Sequence, residues 1–278
     1  MTTTKGWQEL FIDNKIFCNH YFSSKDAMNI IVTHTPLGST TLLQPAYEPL
    51  TKHNVNIFGI DFSGTGQSKG TDFSLETIIA DMNTVVDYIA ENYSDNIHLF
   101  GNTGIGGIFA QYTVNSGIDK KIKSFAQFAC AVHKDTSALG KPLWLVKTLV
   151  PILKAFPNAK MTFKVPKFTG LNADKDNAFY EELEKLVPNS MRCKLSLLSV
   201  LLESIVANES VLQNEITCPT LVFKVLHDRY FPPQYFDKYY NALTCEKKLV
   251  EINDAHNSYY YNSDLFCEEA YNWFVLHK

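Results

Sequence analysis

The chain has 278 residues, of which 45% are apolar and 19% charged, with a formal net charge of −4. That balance describes a folded globular protein long enough for one large α/β domain with an insertion, and it excludes the disordered and fibrous classes. The acidic excess and scattered lysines provide no field for nucleic acid, no apolar run reaches membrane-spanning length, and Met1 to Gly6 lacks the apolar stretch of a signal peptide, so a cytoplasmic protein is expected.

Glu9–Ile12 and Ile16–Phe22, joined by Asp13-Asn14-Lys15, read as an antiparallel hairpin. Short, nearly continuous apolar runs follow at Met28–Thr33, Val55–Ile60, Ile97–Phe100, Ser124–Cys130 and Pro219–Val225, with a last strand at Lys248–Ile252. Such runs fit parallel strands buried on both faces. Between them, Ser74 to Tyr93 places Leu75, Ile78, Ile79, Met82, Val85, Val86 and Ile89 at helical spacing behind an N-capping serine. Pro232–Leu243 and Ser263–Leu276 read as two further helices, the second with Ser263-Asp264 as a capping signal.

This alternation predicts an α/β fold with a doubly wound, mostly parallel sheet. It is interrupted from residue 131 to 215 by apolar helical segments (Leu143–Phe156, Asn177–Leu186, Met191–Val206) broken by prolines and Gly170. A stretch of that length is too long for a loop and is expected to be a helical cap, with residues 1–130 and 216–278 forming the core. The six cysteines show no C-x-x-C and the eight histidines no H-x-x-x-H, so reduced core thiols are expected, and neither a metal nor a cofactor.

Gly101-Asn102-Thr103-Gly104-Ile105-Gly106-Gly107 lies between a predicted strand and a predicted helix. There a G-x-S-x-G elbow would present a nucleophile, and the serine is missing. Two registers compete. Counting forward from Gly101 puts Thr103 at the nucleophile; counting back from Gly106-Gly107 puts Gly104 there, which has none.

Together with Ile30 to Ser39 (IIVTHTPLGS), Phe58 to Gly70 (FGIDFSGTGQSKG, with Ser63 at the arginine of D-x-R-G-x-G-x-S-x-G), Pro219 to Asp228 and Asp254-Ala255-His256, the elbow resembles the α/β-hydrolase superfamily, in particular its capped monoacylglycerol-lipase-like and lysophospholipase-like hydrolases. The resemblance spans nearly the whole chain. It implies His256 as base and Asp228 as its orienting acid, in the chain order nucleophile, acid, histidine. It also implies an oxyanion hole with one donor from the backbone of Gly104. The second would come from the position of Pro36, which has no N–H, so either Thr35 or Leu37 donates instead or the hole is incomplete.

Thr103 is expected to attack as a serine does, against the alternative that it caps the following helix. Asp254 is the fallback acid, and Cys130 a core thiol. An apolar cap with Leu143, Trp144, Leu145, Leu149, Phe156 and Phe163 points to a small hydrophobic or acyl substrate. The leading expectation is therefore hydrolysis of a carboxylic ester or thioester through Thr103, His256 and Asp228. The alternatives are acid–base chemistry by His256 and Asp228 without a covalent step, which the resemblance permits because lyases, isomerases and cofactor-free oxygenases share this fold, or an inactive ligand-binding relative. Composition does not fix the oligomeric state.

Overall fold

A computed structural model describes residues 5–35, 38–128, 132, 134–136, 139–162, 164–165, 167–188, 192–207 and 214–278. The expected Leu37, Pro36, Cys130 and Phe163 lie outside the described residues. Strands β1 (Gly6–Ile12) and β2 (Ile16–Phe22) form the hairpin. Asp13 and Asn14 turn it at φ 55° and 53°, the left-handed pair that a tight hairpin needs and that these two residues tolerate best.

The remaining main-sheet strands are β3 (Met28–Thr33), β4 (Val55–Ile60), β5 (Ile97–Gly101), β6 (Ser124–Gln127), β9 (Thr220–His227) and β10 (Lys247–Ala255), in the spatial order β1-β2-β4-β3-β5-β6-β9-β10. From β4 to β10 all neighbours run parallel. The run expected to Cys130 ends as a strand at Gln127.

Helices α1 (Leu75–Asn92), α2 (Gly104–Asn115) and α6 (Pro233–Ala242) cover one face of the sheet, with Ile78, Met82, Val85, Phe109 and Phe236 buried against Ile31, Phe58, Leu99 and Val222. Ser74 closes α1 with Thr77 in a reciprocal capping box. After the short helix α7 (Ser258–Tyr261), helix α8 (Ser263–Leu276) covers the other face through Phe266, Trp273 and Phe274, together with Tyr47 and Leu50. Its N-cap is Asn262, which makes no side-chain cap bond, so the capping signal expected at Ser263-Asp264 is not used.

Between β6 and β9 the chain contributes no strand to the main sheet among the described residues. It forms α3 (Leu143–Ala155), α4 (Ala173–Leu186), α5 (Leu195–Val206) and a separate two-stranded ribbon of β7 (Lys160–Thr162) and β8 (Arg192–Lys194), which periodicity did not reveal. Pro151 sits inside α3 rather than ending it. Val146 and Val150 pack with Leu202 of α5, and α5 in turn reaches α2 through Ile205 and Ile108.

His98 is a fully buried histidine on β5, with Nδ1 2.9 Å from Ser124 Oγ and Nε2 3.0 Å from the Asn96 side-chain oxygen. Burial, with smaller contributions from His277 and Lys123, pushes its pKa down to about 3. It is therefore neutral in the fold and takes up a proton on unfolding at any pH between that value and the ordinary 6.5. Its contribution to stability is complete above pH 6.5 and falls by about 1.36 kcal/mol per pH unit below it. Chemical denaturation from pH 7 to 4 is expected to show a shallower loss in His98→Gln than in wild type, by the equivalent of one proton.

Candidate active site

The site forms at the carboxyl ends of β3, β5, β9 and β10, where open parallel sheets bind ligands. After β5, Asn102 donates from Nδ2 to the Ala46 carbonyl at 2.7 Å and ties the turn to the neighbouring loop. Thr103 is extended (φ −126°, ψ 154°) and α2 starts at Gly104. Extended and helical residues in succession send their side chains apart, and this decides the register. A Cβ built on Gly104 lies 3.4 Å from His256 Nε2. The Thr103 hydroxyl turns inward, so close to α2 that a Cβ on Gly106 would lie 2.5 Å from it and 2.6 Å from the His34 carbonyl.

Neither contact weighed for Thr103, with His256 or with the amides of α2, is made in the structure. Its side chain makes no cap bond to α2. Its Oγ1 is buried with no hydrogen-bond partner, His256 included, and Thr103 does not line the cavity above the site, whereas Gly104 does. Gly104, which has no side chain to attack with, occupies the position facing His256 Nε2. The signal was present in the chain as the Gly106-Gly107 pair, counted backwards.

Asp228 and His256 meet across 28 residues of sequence. Asp228 follows β9 and accepts at Oδ2 from His256 Nδ1 at 2.8 Å, while its Oδ1 accepts from the backbone of Tyr230 and Phe231 at 2.7 and 2.8 Å. The carboxylate is thus held on both oxygens, and with Asp228 as acceptor Nδ1 is the donor, while Nε2 faces Gly104. Aromatic rings surround the imidazole, with Tyr230 edge-on at 4.6 Å and Phe231 stacked at 6.0 Å between centroids.

Asp254 does another job. It lies on β10 and its Oδ1 accepts from the Asn172 side chain, from Ala255 N at 2.8 Å and from the Tyr261 hydroxyl at 2.9 Å. Buried Asp176 on α4 pairs with Arg229 and accepts from Asn257 N at 3.1 Å. Arg229 also donates to the carbonyls of Thr169 and Leu171 at 3.1 and 2.7 Å. Asp254, Asp176 and Arg229 together fasten the segment around α4 to the residues flanking the dyad, which sequence spacing did not indicate.

Above Gly104 and His256 lies a cavity of about 400 Å³, walled mainly by apolar side chains of α2, α4 and α5, among them Ile108, Phe179, Leu183 and Leu198. The apolar cap residues Leu143, Trp144, Leu145, Leu149 and Phe156 do not line it; Trp144 and Phe156 are 68% and 61% exposed. Polar groups cluster beside His256: Tyr180, Tyr230 and Tyr259, whose phenols burial pushes up and keeps protonated, and Thr35 at the exit of β3. The first helical hydrogen bond of α2 is Gly107 N to Thr103 O, so the preceding amides, including that of Ile105 at the cavity, have no acceptor within the helix and no partner among the described residues. His34, just before Thr35, is fixed with Nε2 2.9 Å from Asp61 Oδ1 and Nδ1 2.6 Å from the Thr35 carbonyl.

Residues 25–256 match the family model for serine aminopeptidase, S33. Among solved structures, the fold is similar to a monoacylglycerol lipase of Paleococcus ferrophilus (16% identity, TM-score 0.74, covering 95% of this chain and 100% of the other). It is also similar to the enol-lactonase of Burkholderia xenovorans (15%, 0.65, 96% and 100%) and to the thioesterase domain of the curacin biosynthetic pathway (14%, 0.67, 96% and 99%). At these identities the likeness is one of fold. No curated protein matches the sequence.

The buried, unpartnered Thr103 hydroxyl generates a stability test. Thr103→Val keeps the shape and removes an unsatisfied polar atom, so unfolding free energy in urea is expected to stay within about 0.5 kcal/mol or to rise by about 1 kcal/mol. A loss of more than about 1.5 kcal/mol would show that the hydroxyl makes a bond the fold depends on.

Proposed function

The chain belongs to the S33 serine aminopeptidase family of α/β-hydrolases, and from that premise we propose that it processes a small hydrophobic carbonyl compound, an ester or thioester, by general-base catalysis at His256 without an acyl-enzyme. One observation carries this reading: Gly104, not a residue with a nucleophilic side chain, faces His256 Nε2 on the cavity floor, while Thr103 is turned away from it. The lipase, lactonase and thioesterase named among similar folds act on carboxylic esters or thioesters, which supports the substrate class. The apolar cavity supports its hydrophobic character, and the segment 131–215 acts as a cap that supplies 12 of the 25 described residues lining it.

In this mechanism the space a serine side chain would fill holds the attacking water. Nε2 of His256 takes a proton from it as its oxygen bonds to the carbonyl carbon. Asp228 stabilises the imidazolium through Nδ1–H. With residue 104 at the nucleophile's place, the adjoining donor is the Ile105 amide rather than that of Gly104, and Thr35 borders the second side of the oxyanion. Collapse of the tetrahedral intermediate releases the alcohol or thiol, which recovers the proton from Nε2.

The test is release of p-nitrophenol from esters of graded chain length by wild type and two variants. His256→Ala is expected to lose on the order of 10²-fold or more in kcat/KM, and Thr103→Val to stay within about twofold. Abolition of activity in Thr103→Val would restore the covalent triad. No turnover by wild type of any chain length would move the assignment to proton transfer on the substrate's own carbon acid, or to binding without turnover.

A further inference from the structure

We propose that the outward face of α3 and the adjoining β7–β8 ribbon dock on an anionic lipid surface. Helix α3 has one packed side, formed by Val146 and Val150. Opposite it, Trp144, Thr148 and Ile152 stand in a row at i, i+4 and i+8, with Trp144 68% and Ile152 50% exposed. Phe156 at the end of the helix (61%) and Met161 on β7 (38%) extend the apolar surface. Single exposed apolar residues are common, but a row of a tryptophan, an isoleucine and a phenylalanine on one short segment marks a surface that another phase covers.

Charge identifies that phase. From residue 136 to 173 the chain carries six lysines (141, 147, 154, 160, 164 and 167) and no aspartate or glutamate, although acidic residues outnumber basic ones in the whole chain, 29 to 25. Lys154 pairs with Glu203 on α5 at 2.7 Å. The other five lysines are exposed and form no ion pair among the described residues. On the ribbon, Lys160 stands opposite Lys194, so cations adjoin across its two strands. Exposed aromatic and aliphatic side chains fringed by unpaired lysines match a bilayer of anionic lipids, where the apolar groups enter the headgroup boundary and each lysine near the surface adds attraction. A protein partner of ordinary surface offers no reason for so long an acid-free run. Lys164 and Val165, within the same stretch, border the cavity, so docking brings its mouth toward the lipid.

The proposal is independent of what the cavity does. It is tested by co-sedimentation of the full chain with vesicles of phosphatidylcholine alone and with about 30% phosphatidylglycerol, at low and high salt, following tryptophan emission. Binding is expected only to the anionic vesicles, with a blue shift in emission and loss at high salt. Trp144→Ser with Phe156→Ser is expected to weaken it about tenfold or more, and Lys147→Glu with Lys160→Glu to remove the dependence on phosphatidylglycerol. All four positions are exposed, so circular dichroism and thermal midpoints are expected to match wild type. Absence of binding to anionic vesicles at low salt would overturn the proposal. So would binding unaffected by both double variants, or a dimer in sedimentation velocity that Trp144→Ser dissolves, which would assign the face to a second copy of the chain.

Discussion

The approach of α2 to the end of β3 is the constraint on which the site depends. Gly106 rests against the backbone of His34 and the Thr103 hydroxyl at distances that leave no room for a Cβ, and Thr33 locks the contact by donating from Oγ1 to the Gly106 carbonyl at 2.9 Å. This close contact draws the unpaired amides of the α2 N-terminus to the cavity floor, beside Thr35. It also forces the chain to turn between an extended Thr103 and a helical Gly104, and so sets which of the two faces His256. The chemistry open to the site follows from that turn more than from any side chain in it.

The dyad is built differently, from residues held by their neighbours on both sides. Asp228 has one oxygen for His256 and one for the backbone that follows it, so its carboxylate cannot swing away without losing three hydrogen bonds. Asp254, the fallback acid of the sequence, and Asp176 anchor the excursion around α4 to this loop. The walls of the cavity and the base beneath it are thereby fixed to one another, as a site that orients a hydrophobic ligand requires.

Much of this was legible in the chain. The buried strands are continuous apolar runs, and the loops after β9 and β10 carry an aspartate and a histidine at the sheet edge where they meet. The elbow was not legible in the same way, because a slip of one residue exchanges Thr103 for Gly104. Only the backbone angles distinguish them. Both registers were written in the glycines, and the hydroxyl of Thr103 favoured the forward one, whereas in the structure Gly104 is the residue that faces His256. Periodicity marked the apolar face of α3 without showing what covers it. Val146 and Val150 pack on α5, whereas Trp144 and Phe156 face outward and the cavity wall comes from α4 and α5 instead. The β7–β8 ribbon, three residues per strand, is too short to show a period of two.

The central claim is that the site is complete except for the nucleophile and that residue 104 is where one belongs. It is tested most directly by intact-protein and peptide mass spectrometry after treatment with a fluorophosphonate, on wild type and on Gly104→Ser. No adduct is expected on wild type, and a single adduct at position 104 in the variant, lost when His256→Ala is added. An adduct on Thr103 in the wild-type protein, or none in a folded Gly104→Ser variant, would contradict it.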